Sequence, residues 1–218
     1  MPFTLKTLEP QSYTVLEGDA PTQCGVLVSG SAYRQKLTGD GTRQIVAIHI
    51  PGEALDFQSL FLDVADHNVQ TLTRAEVAFI PRRELQDLAR SRAAIGHAIL
   101  VTILVEASIF REWVLNVGRH DSRTRTAHLL CEFAIRLDAQ GLAEDYGYHL
   151  PMTQEQLADA LGLTPVHVNR TLKGLQAEGL ISREGRQVSF PDWRRLREAA
   201  DFNQRYLHLE PQRAGRVS

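Results

Sequence analysis

Two regimes of hydrophobic patterning divide the chain. Between about residues 12 and 80, short apolar runs alternate with turn residues. The runs 13–16, 25–28, 31–37, 44–50, 69–72 and 77–80 read as strands. Glu17-Gly18-Asp19, Ser29-Gly30, Gly39-Asp40-Gly41 and Pro51-Gly52-Glu53 separate them. Regular short strands with glycine turns predict a β-sandwich or roll. From Arg83 the period becomes helical, with a short helix over 84–90 and a longer one over about 93–117. Ile95, Ile99, Leu100, Val101, Ile103, Leu104 and Val105 make the first half of the long helix apolar nearly all round, so it needs cover on two sides. The roll can supply one cover and a second chain the other. Ile99, Ile103, Phe110, Trp113 and Val117 are the stripe expected to pair two parallel helices. The plainer alternative is the central core helix of a monomer.

Gly118 to Asp121 breaks this pattern and is the expected hinge. Asp121 can cap the next helix, over 122–139, and 141–149 reads as a loop. The segment from Met152 to Leu172 carries the densest local signals. Thr153 and Gln156 have capping-box spacing, and Leu157, Ala158 and Leu161 give one apolar stripe. Gly162 permits a sharp turn, after which Thr164 caps a second helix with Pro165 at its first position. Val168, Leu172 and Leu175 face inward. Val166, His167, Asn169, Arg170 and Lys173 are left outward, the arrangement by which a helix-turn-helix enters a DNA major groove. Two short strands around Gly185, carrying Arg183 and Arg186, add a wing. A capped helical hairpin without DNA contacts is the bland counterpart, but it does not account for the basic wing.

Composition narrows the class. The 218 residues are 43% hydrophobic and 23% charged, as expected of a globular protein. No apolar run of about 20 residues and no signal-peptide layout is read, so a cytoplasmic protein with no membrane partner is expected. Cys24 and Cys131 are too few for a metal or disulfide framework and are expected as free thiols. The net charge is −2, with 14 Lys/Arg against 13 Asp/Glu from Arg119 onward. DNA affinity must therefore come from local placement of Arg170, Lys173, Arg183 and Arg186 rather than from bulk charge.

No GxSxG, P-loop or GxGxxG motif is present. A cupin-like metal enzyme or small-molecule binder on the β unit is the alternative, but only His49 falls clearly on a predicted strand and no His-x-His occurs. An architectural DNA-binding protein would leave the β unit without a role. A regulator without enzymatic activity is therefore expected.

The order of β-roll, long helix, hinge and winged helix resembles the CRP/FNR family of bacterial transcription factors. Glu17-Gly18-Asp19, Gly39-Asp40-Gly41, Pro51-Gly52-Glu53, Leu72-Thr73, Val77-Ala78-Phe79-Ile80-Pro81 and Asn169-Arg170-Thr171-Leu172 carry the resemblance over nearly the whole chain. It implies an α+β fold: a cyclic-nucleotide-binding-like β-roll (a double-stranded β-helix) over 1–92, a dimerisation helix over 93–118 and a winged helix-turn-helix over 119–218. It also implies a homodimer on a two-fold symmetric operator and an RNA polymerase contact. The helix that precedes the roll in the family is missing from this reading.

Family members that bind cyclic nucleotides carry a Gly-Glu pair and then an Arg-Ser pair for the phosphate. The first falls here on Asp56-Phe57, the second on Ala65-Asp66 or His67-Asn68, with no arginine. Asp56, Asp63 and Asp66 would repel a phosphate, so cyclic AMP is not the expected signal. An unidentified small-molecule effector is assigned to Asp56, Phe57, Gln58 and Ser59. Two cysteines cannot supply the four ligands of an iron–sulfur cluster, and His49, His67 and His97 lack any haem context; no cofactor or metal is expected. In the family an arginine at Arg170's position reads guanine, while the glutamate that reads cytosine is replaced by Val166, which can touch a thymine methyl. Asn169 can pair with adenine or a phosphate. Thr153, Thr164, Lys173 and Arg186 are expected on the DNA backbone, and Gln154 and His167 complete the DNA-facing set.

Overall fold

The structure is a computed structural model that describes residues 2–143 and 147–209. Seven strands form the roll: β1 (Thr4–Leu8), β2 (Tyr13–Val15), β3 (Gln23–Ser29), β4 (Ala32–Leu37), β5 (Arg43–His49), β6 (Asn68–Thr71) and β7 (Ala75–Pro81). They make two antiparallel sheets, ordered β1-β7-β3 and β2-β6-β4-β5. Leu27, Ala32, Leu55, Val69, Ala75, Val77 and Phe79 fill the space between them. Gly30 has φ +82°, and a Cβ there would meet the Arg74 carbonyl at 2.4 Å, so the turn into β4 requires glycine. β1 was absent from the sequence reading. Its residues are mostly exposed and it is held by backbone pairing to β7, so it lacks the buried alternation that marks a strand.

A one-turn helix at Phe57–Leu60 closes the roll, and α1 (Arg82–Ser91) leads into α2 (Ala93–Arg119). α2 is long and apolar enough to cross a membrane by length and composition, which corrects the sequence reading that no such run exists. Its inward face packs on the roll and α1 through Ile99, with Ile95 and Ile103 alongside.

α3 (Ser122–Ala139) begins with Asp121 accepting the Thr124 N–H and runs almost wholly buried. α4 (Gln154–Leu161) and α5 (Pro165–Ala177) form the helix-turn-helix, joined through Gly162 at φ +62°. The wing is a three-stranded sheet ordered β8-β10-β9, from β8 (Tyr148–His149), β9 (Ser182–Glu184) and β10 (Gln187–Ser189). Tyr148 and His149 were read as loop; residues 144–146 of that loop lie outside the described residues. α6 (Trp193–Ala199) and a one-turn helix at Gln204–Leu207 follow and pack back on α3 and α2, and neither was anticipated. One apolar core runs from the outer face of β4 and β5 (Tyr33, Ile45, Ile48) through α3 to the helix-turn-helix and wing.

Candidate DNA-reading surface and roll interior

The capping signals set the frame of the reading surface. The Gln156 N–H donates to Thr153 Oγ1 at 3.2 Å and the Thr153 N–H to Gln156 Oε1 at 2.9 Å, a complete capping box. The His167 N–H donates to Thr164 Oγ1 at 3.2 Å, and Pro165 occupies the first turn of α5. Each threonine keeps its own O–H free to donate. Both helix starts thus combine a hydroxyl donor with the positive end of a helix dipole, a combination suited to phosphate.

Val166, Asn169, Arg170 and Lys173 follow the i, i+3, i+4, i+7 face of α5 and line one concave surface with Pro165 and Gln154. Val166 is 81% exposed, an unusual degree for valine away from an interface. Asn169 Nδ2 donates to Gln154 Oε1 at 3.2 Å. His167 is half-buried, and its Nε2 lies 3.0 Å from Ser122 Oγ, at the start of α3. Arg123 on α3 grips Glu178 at the end of α5 with Nε at 3.1 Å from both carboxylate oxygens. Behind α4, Arg43 of β5 reaches Asp159 (2.6 Å) and Gln44 reaches the Ala160 carbonyl (3.3 Å). The reading helix is therefore braced from α3, and its partner helix from the roll.

The roll interior is polar around the one-turn helix. Asp56 and Ser59 are buried and hydrogen-bonded to each other, while Phe57 and Gln58 are half-buried. The Arg34 guanidinium donates to the Leu55 carbonyl (2.9 Å) and to Glu106 of α2 (3.3 Å). His67 Nδ1 lies 2.6 Å from the exposed Asp66, and its Nε2 lies 3.6 Å from Asp56. Among the described residues, Arg34 Nε, His49 Nε2, Asp56 Oδ1 and His67 Nε2 are buried and find no hydrogen-bond partner. Burial raises the Asp56 carboxyl above its ordinary range, against the opposing pull of His67 and Arg34. Burial, followed by the charges of Arg34, Arg136 and His67, holds His49 well below the usual imidazole range. Among the described residues, no three or more His, Cys, Asp or Glu come together in a way that could hold a metal.

Residues 5–92 match the cyclic nucleotide-binding domain family and residues 124–199 the Crp-like helix-turn-helix domain family. A transcriptional activator protein of Cereibacter sphaeroides, FnrL, is 30% identical over 190 residues, covering 85% of this chain and 76% of the relative. The chain belongs to the CRP/FNR family. The nitrogen fixation regulation protein FixK of Rhizobium meliloti is 29% identical over 190 residues, covering 86% of this CRP/FNR chain and 82% of FixK. The solved structure of FixK2 from Bradyrhizobium japonicum shares the fold with a TM-score of 0.80 at 23% identity, over 91% of this chain and 98% of that one. This member of the family is a DNA-binding transcriptional regulator with an α+β architecture.

Within this regulator the structure redistributes several residues singled out from sequence. Gln154, Val166, Asn169, Arg170 and Lys173 line one concave surface, Thr153 and Thr164 are exposed at the starts of α4 and α5, and Arg186 is exposed on the wing turn. His167 is half-buried, with its ring nitrogen against Ser122 Oγ. Of the pairing stripe, Ile99 (3% exposed) and Trp113 (6%) are in the chain's own core, and Trp113 Nε1 donates to Glu132 at 2.9 Å. Ile103 and Val117 are half-buried, and only Phe110, at 50%, is open. The correction has a simple cause. α2 carries two apolar stripes, and the sequence reading assigned the bulkier one to the partner. The exposed row is His97, Leu100, Leu104, Ala107, Arg111, Val114 and Gly118, at alternating steps of three and four residues.

Sequence reasoning missed Arg34 because it sought an arginine in the segment after the one-turn helix, whereas β4 supplies one from across the sheet. It also missed a buried ionic joint. Arg136 on α3 bonds Glu132 (3.0 Å), Glu53 (2.7 Å) and the Ile48 carbonyl (2.6 Å), and Tyr206 donates to Glu132 at 2.9 Å. The i, i+4 spacing of Glu132 and Arg136 among the apolar residues 129–137 was the available signal.

Proposed function

We propose that this regulator acts as a homodimer on a two-fold symmetric DNA operator, with α5 in the major groove and RNA polymerase as a partner, and that it has no enzymatic activity, cofactor or metal of its own. The carrying observation is the concave face of Val166, Asn169, Arg170 and Lys173 between two threonine-capped helix starts. Arg170 reads a guanine, Val166 meets a thymine methyl, and Thr153, Thr164, Lys173 and Arg186 hold phosphates. The division into a roll (1–92), a dimerisation helix (93–118) and a winged helix-turn-helix (119–218) fits the element order. A second copy, rather than lipid, is the proposed cover for the open face of α2, because Arg111 lies in its middle and Glu106 and Glu112 are on the same helix. A cytoplasmic location follows.

The signal is proposed to be a small molecule other than cyclic AMP, held near Asp56, Phe57, Gln58 and Ser59. Arg34 is already engaged by Glu106 and the Leu55 carbonyl, and the neighbouring Asp56 carboxyl offers a phosphate no positive charge, so the interior is a poor cradle for a buried phosphate. Stoichiometric heat on titration with cyclic AMP would overturn this part. Genome-wide occupancy in the native cell tests the whole proposal. The expected result is a set of promoters sharing one inverted repeat; random occupancy along the chromosome contradicts it.

A further inference from the structure

We propose that Gln154 and Asn169 recognise DNA as a coupled pair, with Asn169 reading an adenine and Gln154 fixing the orientation in which it does so. The inference rests on the DNA-binding reading above and adds a specificity determinant to it. Asn169 sits on the reading face of α5 between Val166 and Arg170, and Gln154 is the first residue of α4. The two lie 15 positions apart in sequence and meet across the turn, through the 3.2 Å bond from Asn169 Nδ2 to Gln154 Oε1. Both are half-buried and both line the concave surface that also holds Arg170 and Lys173.

A primary amide carries two N–H groups. Asn169 gives one to Gln154 and retains the other beside Oδ1. That remaining edge, one donor next to one acceptor, matches adenine N7 and N6. An asparagine without a brace can turn its carboxamide over and exchange donor for acceptor, which blurs the preference for adenine. Here a turned Asn169 would set its oxygen against the oxygen of Gln154. Asn169 can then turn only if Gln154 turns with it, and the Thr153–Gln156 capping box fixes the backbone from which Gln154 projects. The neighbouring His167 does not compete for the same base, since its ring is held at Ser122. Gln154 is thus a positioning residue, and Asn169 is the group that touches the base.

The experiment uses the full-length protein to select duplexes from a random pool, then titrates wild type, Asn169→Ala, Gln154→Ala and Gln154→Glu against the selected operator and its single-base variants. Thermal melts confirm that each variant is folded. Wild type is expected to select an A·T pair in each half-site next to the guanine read by Arg170. Asn169→Ala should lose roughly 5- to 150-fold of preference at that pair and little elsewhere. Gln154→Ala should lose roughly two- to tenfold of preference at the same pair. Gln154→Glu retains the acceptor oxygen and should restore the preference for adenine, while its added charge weakens binding to every sequence alike. A Gln154→Ala protein that binds all sequences more weakly with its adenine preference intact would place Gln154 on a phosphate and overturn the pairing. An enriched site whose bases are indifferent to Asn169→Ala also overturns it. A pool with no enriched sequence defeats the operator reading and this inference together.

Discussion

Arg170 and Lys173 are both basic and exposed on one face of α5, and we propose different work for them. Arg170 lies at mid-helix, beside Asn169 and one turn after Val166, where a bidentate fork can reach guanine O6 and N7. Lys173 lies nearly a turn later. Arg170→Ala should cost about 1–3 kcal/mol on the operator and relax the preference at one guanine per half-site. Lys173→Ala should weaken all sequences alike and make the salt slope shallower by about one per subunit. Titrations of single-base operator variants at two salt concentrations separate the two. A uniform loss for Arg170→Ala would remove it from base readout. These outward positions were legible in the sequence because caps and a turn glycine fix the phase of a short helix. The bracing contacts were not: Gln154 with Asn169 and His167 with Ser122 depend on how α4 and α3 cross α5, which no local pattern encodes.

Among the elements, α2 shows where pattern reading stops. Its apolar character and need for two covers follow from residue type alone. Which stripe faces which cover depends on where the roll and α3 sit, and large residues such as Trp113 gave a misleading cue. The exposed row from Leu100 through Leu104 and Ala107 to Val114 has coiled-coil spacing. Replacing Leu104 and Val114 with glutamate should yield a folded monomer with weakened operator binding, as measured by analytical ultracentrifugation at micromolar concentration. A dimer that persists in this variant would move the interface elsewhere. Trp113→Ala is expected to behave differently, lowering stability by about 3–5 kcal/mol through a core cavity, with the effect visible in denaturant unfolding. β1 and α6 show the converse. They were invisible to periodicity because an edge strand held by its backbone and a seven-residue helix bury too few side chains to leave a pattern.

The molecule as a whole carries a pH dependence written in its buried histidines. His128 on α3 is buried between Phe202 and Tyr206, and burial lowers it from 6.5 to about 4, against the opposing pull of Glu112. The unfolded chain therefore takes up a proton before the folded one. The stability His128 contributes is intact above about pH 6.5 and is lost as the pH falls toward about 4, at no more than about 1.4 kcal/mol per unit. His49 acts in the same direction. Asp56, Glu106 and Glu132, raised by burial, act in the opposite direction, so the wild-type curve is a mixture. His128→Gln should flatten the fall in unfolding free energy between pH 6.5 and 4 relative to wild type. Parallel curves for the two proteins would show that His128 titrates alike in the folded and unfolded states.

The joint at Arg136 has a bearing on modularity. Its ligands come from the turn after β5 (Glu53), from β5 itself (the Ile48 carbonyl neighbouring His49) and from α3 (Glu132), while Trp113 and Tyr206 complete the shell. The roll and the helix-turn-helix unit meet in one largely buried charge cluster, where a missing partner leaves the buried Arg136 or Glu132 unpaired. Chimeras that exchange the roll for a relative's at the α2–α3 boundary inherit that constraint. A graft must bring a carboxylate to Glu53's place, or replace Arg136 as well, for the two halves to pack together without an unpaired buried charge. In this chain, the unit of exchange extends past the hinge and includes α3.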